Sequence, residues 1–107
     1  MSARYGRRID DNQRALTNAL RAFGCTVEPI QGATGTPDLL VGIFGVTELV
    51  EVKPATNVKA RGQLRDTQVE WHERWKGRKP VTIRTMDDAL ALVARMRGAM
   101  TSSEVAR

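Results

Sequence analysis

Cysteine and histidine are nearly absent: Cys25 and His72 are the only examples of each in 107 residues. One cysteine excludes an intrachain disulfide framework and a cysteine-rich metal cluster, and a reducing compartment such as the cytoplasm is the simpler expectation. Cys25 reads as a small core residue. A lone histidine within a helical pattern reads as structural, so His72 is left outside any site. Long apolar runs are missing too. None approaches the roughly 20 residues that cross a bilayer, which predicts no membrane partner. The basic start, with Arg4, Arg7 and Arg8, has no apolar segment behind it and does not read as a secretory signal. No repeat, low-complexity tract or long linker is visible, so the chain reads as one domain over 1–97 with a flexible tail over 98–107.

What is plentiful is positive charge, much of it arginine, giving a formal net charge of +5. That balance favours polyanionic partners such as nucleic acid. Arginine suits phosphate because its planar fork donates paired hydrogen bonds and stays charged. Hydrophobic residues at 41% are ordinary for a globular domain.

The apolar periodicity predicts a helix over about 10–23, with Leu16, Ala19, Leu20 and Phe23 on one stripe, Asp10 or Asp11 as its cap and Gly24 as its stop. A short strand follows over about 25–30, and Pro29 demotes it to an edge. Two apolar runs, 38–44 and 46–53, flank a Gly-containing turn and read as a β-hairpin. A polar, basic stretch over 55–62 reads as a mobile loop. Beyond it a second helix over about 66–76 carries Leu64, Gln68, Trp71 and Trp75 on one stripe. A strand over 81–84 and a last helix complete the order α-β-β-β-α-β-α, an α/β unit with a mixed central sheet. Thr85 and Asp88 form a capping box for the last helix. Ala89, Leu90, Val93 and Ala94 supply its expected buried face.

The hairpin gathers charge. With Phe44 and Gly45 at the turn, Leu39 faces Val50, Leu40 faces Leu49, and Asp38 faces Glu51. Opposed residues on antiparallel strands share a face roughly 5 Å apart at Cβ, and Lys53, two residues past Glu51, shares it as well. Leu39, Val41, Val50 and Val52 take the opposite face, which is apolar apart from Glu48. A slip of one residue would scatter the three ionisable groups.

Two carboxylates this close repel each other, and one pKa rises unless a cation lies between them. Hard oxygen ligands suit Mg2+ or Mn2+. A metal held by Asp38, Glu51 and the Val52 carbonyl can activate water and neutralise charge on a phosphodiester. Lys53 can orient or deprotonate that water, or stabilise negative charge developing at phosphorus.

Pro37-Asp38, a hairpin, then Glu51-Val52-Lys53 resembles the signature of the PD-(D/E)XK nuclease superfamily. Within it the chain is similar to the small VRR-NUC group and to Holliday-junction resolvases, through Gly35-Thr36-Pro37-Asp38-Leu39-Leu40, Leu49-Val50-Glu51-Val52-Lys53 and Gln68, over about 10–93. Short basic phage proteins of this type share the Asp-Asn-Gln start of the first helix. The resemblance implies a restriction-endonuclease-like core, Asp38 and Glu51 as metal ligands, Lys53 as catalytic lysine and Gln68 approaching from the second helix. Many relatives place a glutamate in the first helix; here Asp11, Asn12 and Gln13 occupy that region, and any of them is a candidate for supporting the metal.

Lys59, Arg61 and Arg65 flank the Lys53 end of the hairpin and are candidates to clamp a DNA backbone. Trp71 and Trp75 read as core, although an exposed indole can stack on an unpaired base. The expected activity is metal-dependent hydrolysis of DNA, structure-selective on branched or flapped substrates, with a homodimer supplying two centres. A non-catalytic DNA-binding or inhibitory module that keeps the fold is the alternative.

Overall fold

A computed structural model of the chain describes residues 2–55 and 66–106, and the side chains of 11–55 and 66–100. Lys59, Arg61, Arg65 and Leu64, and most of the loop expected over 55–62, lie outside the described residues. Among those described, the elements are α1 (Ser2–Ala22), β1 (Thr26–Pro29), β2 (Leu39–Ile43), β3 (Val46–Val52), α2 (Asp66–Arg74), β4 (Val81–Ile83) and α3 (Met86–Ala106). The four strands form one mixed sheet in the order β1-β2-β3-β4, with β3 and β4 parallel and the other neighbours antiparallel. No described helix is long and apolar enough to cross a membrane.

The hairpin has the expected register: Leu39 pairs with Val50, Leu40 with Leu49 and Ile43 with Val46. Its two-residue turn places Phe44 at φ 59° and Gly45 at φ 74°, the doubly left-handed conformation whose twist matches that of paired strands. Phe44 tolerates this unfavourable region because its ring packs against the core and under the Arg97 guanidinium, 5.0 Å from the ring centroid. β1 is an edge strand, so Pro29 removes no ladder hydrogen bond from the sheet interior.

One face of the sheet is covered by α1 and α3. Leu16 and Leu20 of α1, Val27, Leu39, Val41, Val50, Val52 and Ile83 of the strands, and Ala89, Leu92 and Met96 of α3 form the buried core. Glu48 intrudes on this face and is buried, with Arg78 at 3.1 Å and Arg95 at 3.8 Å. Neither contact has hydrogen-bond geometry, so charge attraction alone answers the carboxylate.

Three expectations need correcting. α1 begins at Ser2, not near Asp10, so Asp11 lies inside the helix rather than capping it and pairs with Arg14 at 3.6 Å. The buried stripe of α3 is Ala89, Leu92 and Met96, whereas Leu90 is 49% exposed and Ala94 faces solvent. Apolar residues are so dense there that two stripes fit a 3.6-residue period, and only the docked sheet selects between them. α3 also continues through Gly98 to Ala106. One helical glycine costs about 1 kcal/mol, and half-buried Ala99 and Met100 continue the packed surface beyond it.

The helix ends that were expected from local chemistry do form. At the end of α1 the Cys25 amide donates to the Leu20 carbonyl and Gly24, at φ 104°, donates to Arg21, which together close a Schellman cap. At the start of α3, Asp88 N donates to Thr85 Oγ1 at 3.1 Å, while Asp88 Oδ2 accepts from the amides of Thr85 and Arg84. These bonds hold the Asp88 carboxyl below its ordinary pKa.

Candidate active site at the open end of the hairpin

Asp38 sits one residue before β2, where the next rung of the ladder would be. Its amide donates to the Val50 carbonyl at 3.1 Å, and its side-chain Oδ2 accepts from the Val52 amide at 2.8 Å. The carboxylate thus replaces a backbone acceptor and is fixed against β3. Continuing the register puts Asp38 opposite Glu51, and their carboxyl groups adjoin closely enough to share a proton.

Two further groups close the site. Gln68 on α2 donates through Nε2 to Glu51 Oε2 at 2.6 Å and accepts at Oε1 from Lys53 Nζ at 3.1 Å. The same ammonium lies 3.8 Å from Glu51 Oε2. Gln68 therefore faces inward and ties α2 to the end of β3. Glu51 and Lys53 are buried, at 5% and 6% exposed. One oxygen of Glu51, Oε1, is buried with no hydrogen-bond donor.

The electrostatics follow from that burial. Loss of water pushes the Glu51 carboxyl up to about 7, the charge of Asp38 adds to the rise, and Lys53 and Gln68 oppose it. Asp38 is also raised, again by burial first, with the Val52 amide and Lys53 pulling down. Near neutral pH the pair holds a proton it would readily exchange for a cation.

The neighbouring chain is arranged to hold these groups still. Lys53 N donates to the Ile83 carbonyl at 2.9 Å, tying the end of β3 to β4. Asn12 donates from Nδ2 to the Lys53 carbonyl at 2.6 Å and to the Arg84 carbonyl at 3.4 Å. Of the three first-helix candidates, Asn12 thus supports the site through backbone carbonyls. Asp11 is exposed and engaged with Arg14, and Gln13 lines a separate cleft beside β1. Neither is brought to the carboxylates.

Gly35, which opens the Gly-Thr-Pro-Asp stretch, has a specific structural task. At φ 93°, a Cβ on it would lie 2.4 Å from the Thr67 carbonyl oxygen. The loop leading into Asp38 therefore touches the first turn of α2, one residue from Gln68. A Gly two residues before Pro-Asp was the visible signal; its contact, 32 positions away, was not.

Trp71 is buried and Trp75 is 40% exposed, with the rings stacked at 4.9 Å. His72, whose pKa burial lowers, takes no part in the carboxylate pair. Among the described residues no group of three or more His, Cys, Asp or Glu side chains is assembled for a metal. Two carboxylates and a main-chain carbonyl fall below that number, and the donorless Glu51 oxygen beside Asp38 is the feature that fits a hard cation. Compared with known proteins, the chain matches no family model, no curated protein and no solved structure.

Proposed function

We propose that the protein is a metal-dependent nuclease of the PD-(D/E)XK type, with a restriction-endonuclease-like core, that hydrolyses DNA phosphodiester bonds. The observation that carries this reading is the buried Asp38–Glu51 pair with its donorless oxygen, set beside Lys53. Asp38, Glu51 and the Val52 carbonyl would hold Mg2+ or Mn2+, which when bound acidifies water and neutralises phosphate charge. Lys53, steered by Gln68, presents an ammonium to orient the attacking water or to meet charge developing on the phosphoryl oxygens. Gln68 joins the lysine to the acid, so neither turns independently.

In this reading the preferred substrate is branched or flapped DNA. Paired cuts would need a second copy of the chain. The test is cleavage of branched, flapped and linear DNA with Mg2+ or Mn2+ by wild type, Asp38→Ala and Lys53→Ala. Loss in both variants supports the site; equal cleavage by all three proteins refutes it.

A second reading rests on the first helix, where Asp11 turns away and Asn12 engages only backbone. A non-catalytic DNA-binding or inhibitory module would tolerate that loss. Calorimetry separates the readings: Mn2+ binding that disappears in Glu51→Ala supports the enzyme, and salt-sensitive DNA binding without Mn2+ binding supports the module.

A further inference from the structure

On the α1 side of the sheet, over Pro29 and Leu39, lies a cleft of about 270 Å³ between α1 and the edge strand β1. Its α1 wall carries Gln13, Arg14, Thr17, Asn18 and Arg21, and its floor is Pro29 and Leu39. We propose that this cleft is a binding track for the phosphodiester backbone of a nucleic acid, an inference that takes from the nuclease reading only the identity of the neighbouring centre.

Chemistry and spacing support it. Every polar residue of the α1 wall is a hydrogen-bond donor, and none is an acid. Arg14 and Arg21 stand seven residues apart, about 10 Å along the helix. At a rise of about 3.4 Å per nucleotide in one strand, that spans roughly three steps. Arg21 is already positioned, because one guanidinium nitrogen donates to the Val27 carbonyl at 2.8 Å. Arg14 is held by Asp11 at 3.6 Å, with both side chains largely exposed, so a phosphate can compete for it.

Place in the fold matters as much. Pro29 pairs with Leu39 at the open end of the hairpin, and the next amide, of Ile30, donates to the Asp38 carbonyl at 2.8 Å. The cleft thus ends beside the backbone of Asp38, on the sheet face opposite its carboxylate. Pockets that enclose whole ligands usually run to about 300–1,000 Å³. A smaller open cleft suits a phosphate and part of a sugar from a longer strand, not a free nucleotide.

The test is binding of duplex DNA and of single-stranded RNA to the metal-free full chain, across salt. Each phosphate contact contributes about 0.9 to the salt slope for duplex DNA and about 0.7 for a single strand. Arg14→Gln and Arg21→Gln are expected each to lower the slope by about that amount, and Arg21→Lys to retain it. For the double variant on duplex DNA, the affinity gap to wild type should narrow about twelvefold between 50 and 200 mM salt. Arg97→Gln, at the far end of the hairpin, is expected to leave the slope unchanged. The polymer showing the larger loss identifies the natural strand.

Unchanged slopes in the Arg14 and Arg21 variants overturn the track, as does a wild type that binds neither polymer. An equal loss in Arg97→Gln overturns it too, since general charge would then explain the effect. Equal displacement by polyglutamate would show an acidic polypeptide site instead. Lowered slopes without Mn2+-dependent cleavage by wild type leave the track standing and remove the nuclease reading. Cleavage abolished by Asp38→Ala, with slopes intact in the arginine variants, does the reverse.

Discussion

Replacing Glu51 with glutamine keeps the shape of the side chain and removes its charge, which makes it a direct probe of the cost of burying the acid pair. In wild type the Glu51 carboxyl moves from an ordinary value of 4.5 up to about 7 on folding. The native protein therefore binds the proton more tightly than the unfolded chain does. Any stability tied to that proton is fully present below about pH 4.5 and is lost as pH rises towards 7. At about 1.4 kcal/mol per pH unit, the loss is on the order of 3 kcal/mol by pH 7. Asp38 shifts in the same direction, so the pair titrates as a unit. Glu51→Gln mimics the protonated state at every pH. It is expected to melt higher than wild type at pH 8 without metal, by about 12–24 °C at roughly 4–8 °C per kcal/mol. The gap should shrink towards pH 5. Mn2+ should raise the melting temperature of wild type and not that of the variant, because only the wild type gains from exchanging the shared proton for a cation. Thermal melts at pH 5, 6.5 and 8, with and without Mn2+, read all of this. A variant no more stable than wild type at pH 8, together with a flat wild-type profile, would refute the assignment of a buried, mutually repelling pair.

Gly35→Ala sets a Cβ against the Thr67 carbonyl at a left-handed backbone position; it should cost about 1–3 kcal/mol in urea unfolding and weaken Mn2+ affinity by displacing the loop that ends at Asp38. Asp88→Ala removes the acceptor for the Arg84 and Thr85 amides and should cost about 1 kcal/mol at neutral pH. Because those bonds lower the Asp88 pKa, the cost is present above the ordinary aspartate value and fades as pH falls through the depressed one, a trend that acid titration of both proteins would show. Asn12→Ala frees the Lys53 carbonyl; a loss of about 1 kcal/mol is expected, and unaltered stability and activity together would mean that α1 gives the site no support.

The hairpin was legible because two local signals agreed: two β-rich apolar runs and, between them, a turn whose Gly45 supplies one of two positive φ values. That agreement fixed the register, and the register placed Asp38 opposite Glu51. Gln68 was legible because Trp71, three residues on, faces inward on the same helix. The bounds of α1 and α3 were harder. Gly6 lies inside α1 and Gly98 inside α3, where the roughly 1 kcal/mol penalty of glycine does not stop a helix that tertiary contacts favour. Which first-helix candidate acts, and how, was not legible, since the partners of Asn12 at Lys53 and Arg84 lie 41 and 72 residues away. Such pairings depend on how α1 lies across two strand ends, which no local pattern encodes. Glu48 stood out as an exception in an apolar face, but its arginine partners on the 77–80 segment and α3 required the fold.

The parallel pairing of β3 with β4 has a consequence for how the chain comes into being. A tight hairpin closes in about 1–10 μs, whereas a parallel neighbour must wait for a crossover, here from Val52 to Val81, to be made and folded back. A ribosome that has released only the hairpin has released two carboxylates open to water. Gln68, which donates to Glu51, and the Ile83 carbonyl, which accepts from the Lys53 amide, belong to later sequence. The unusual proton affinity of Glu51 is therefore a property of the finished chain, and its titration is a readout of biogenesis as much as of chemistry.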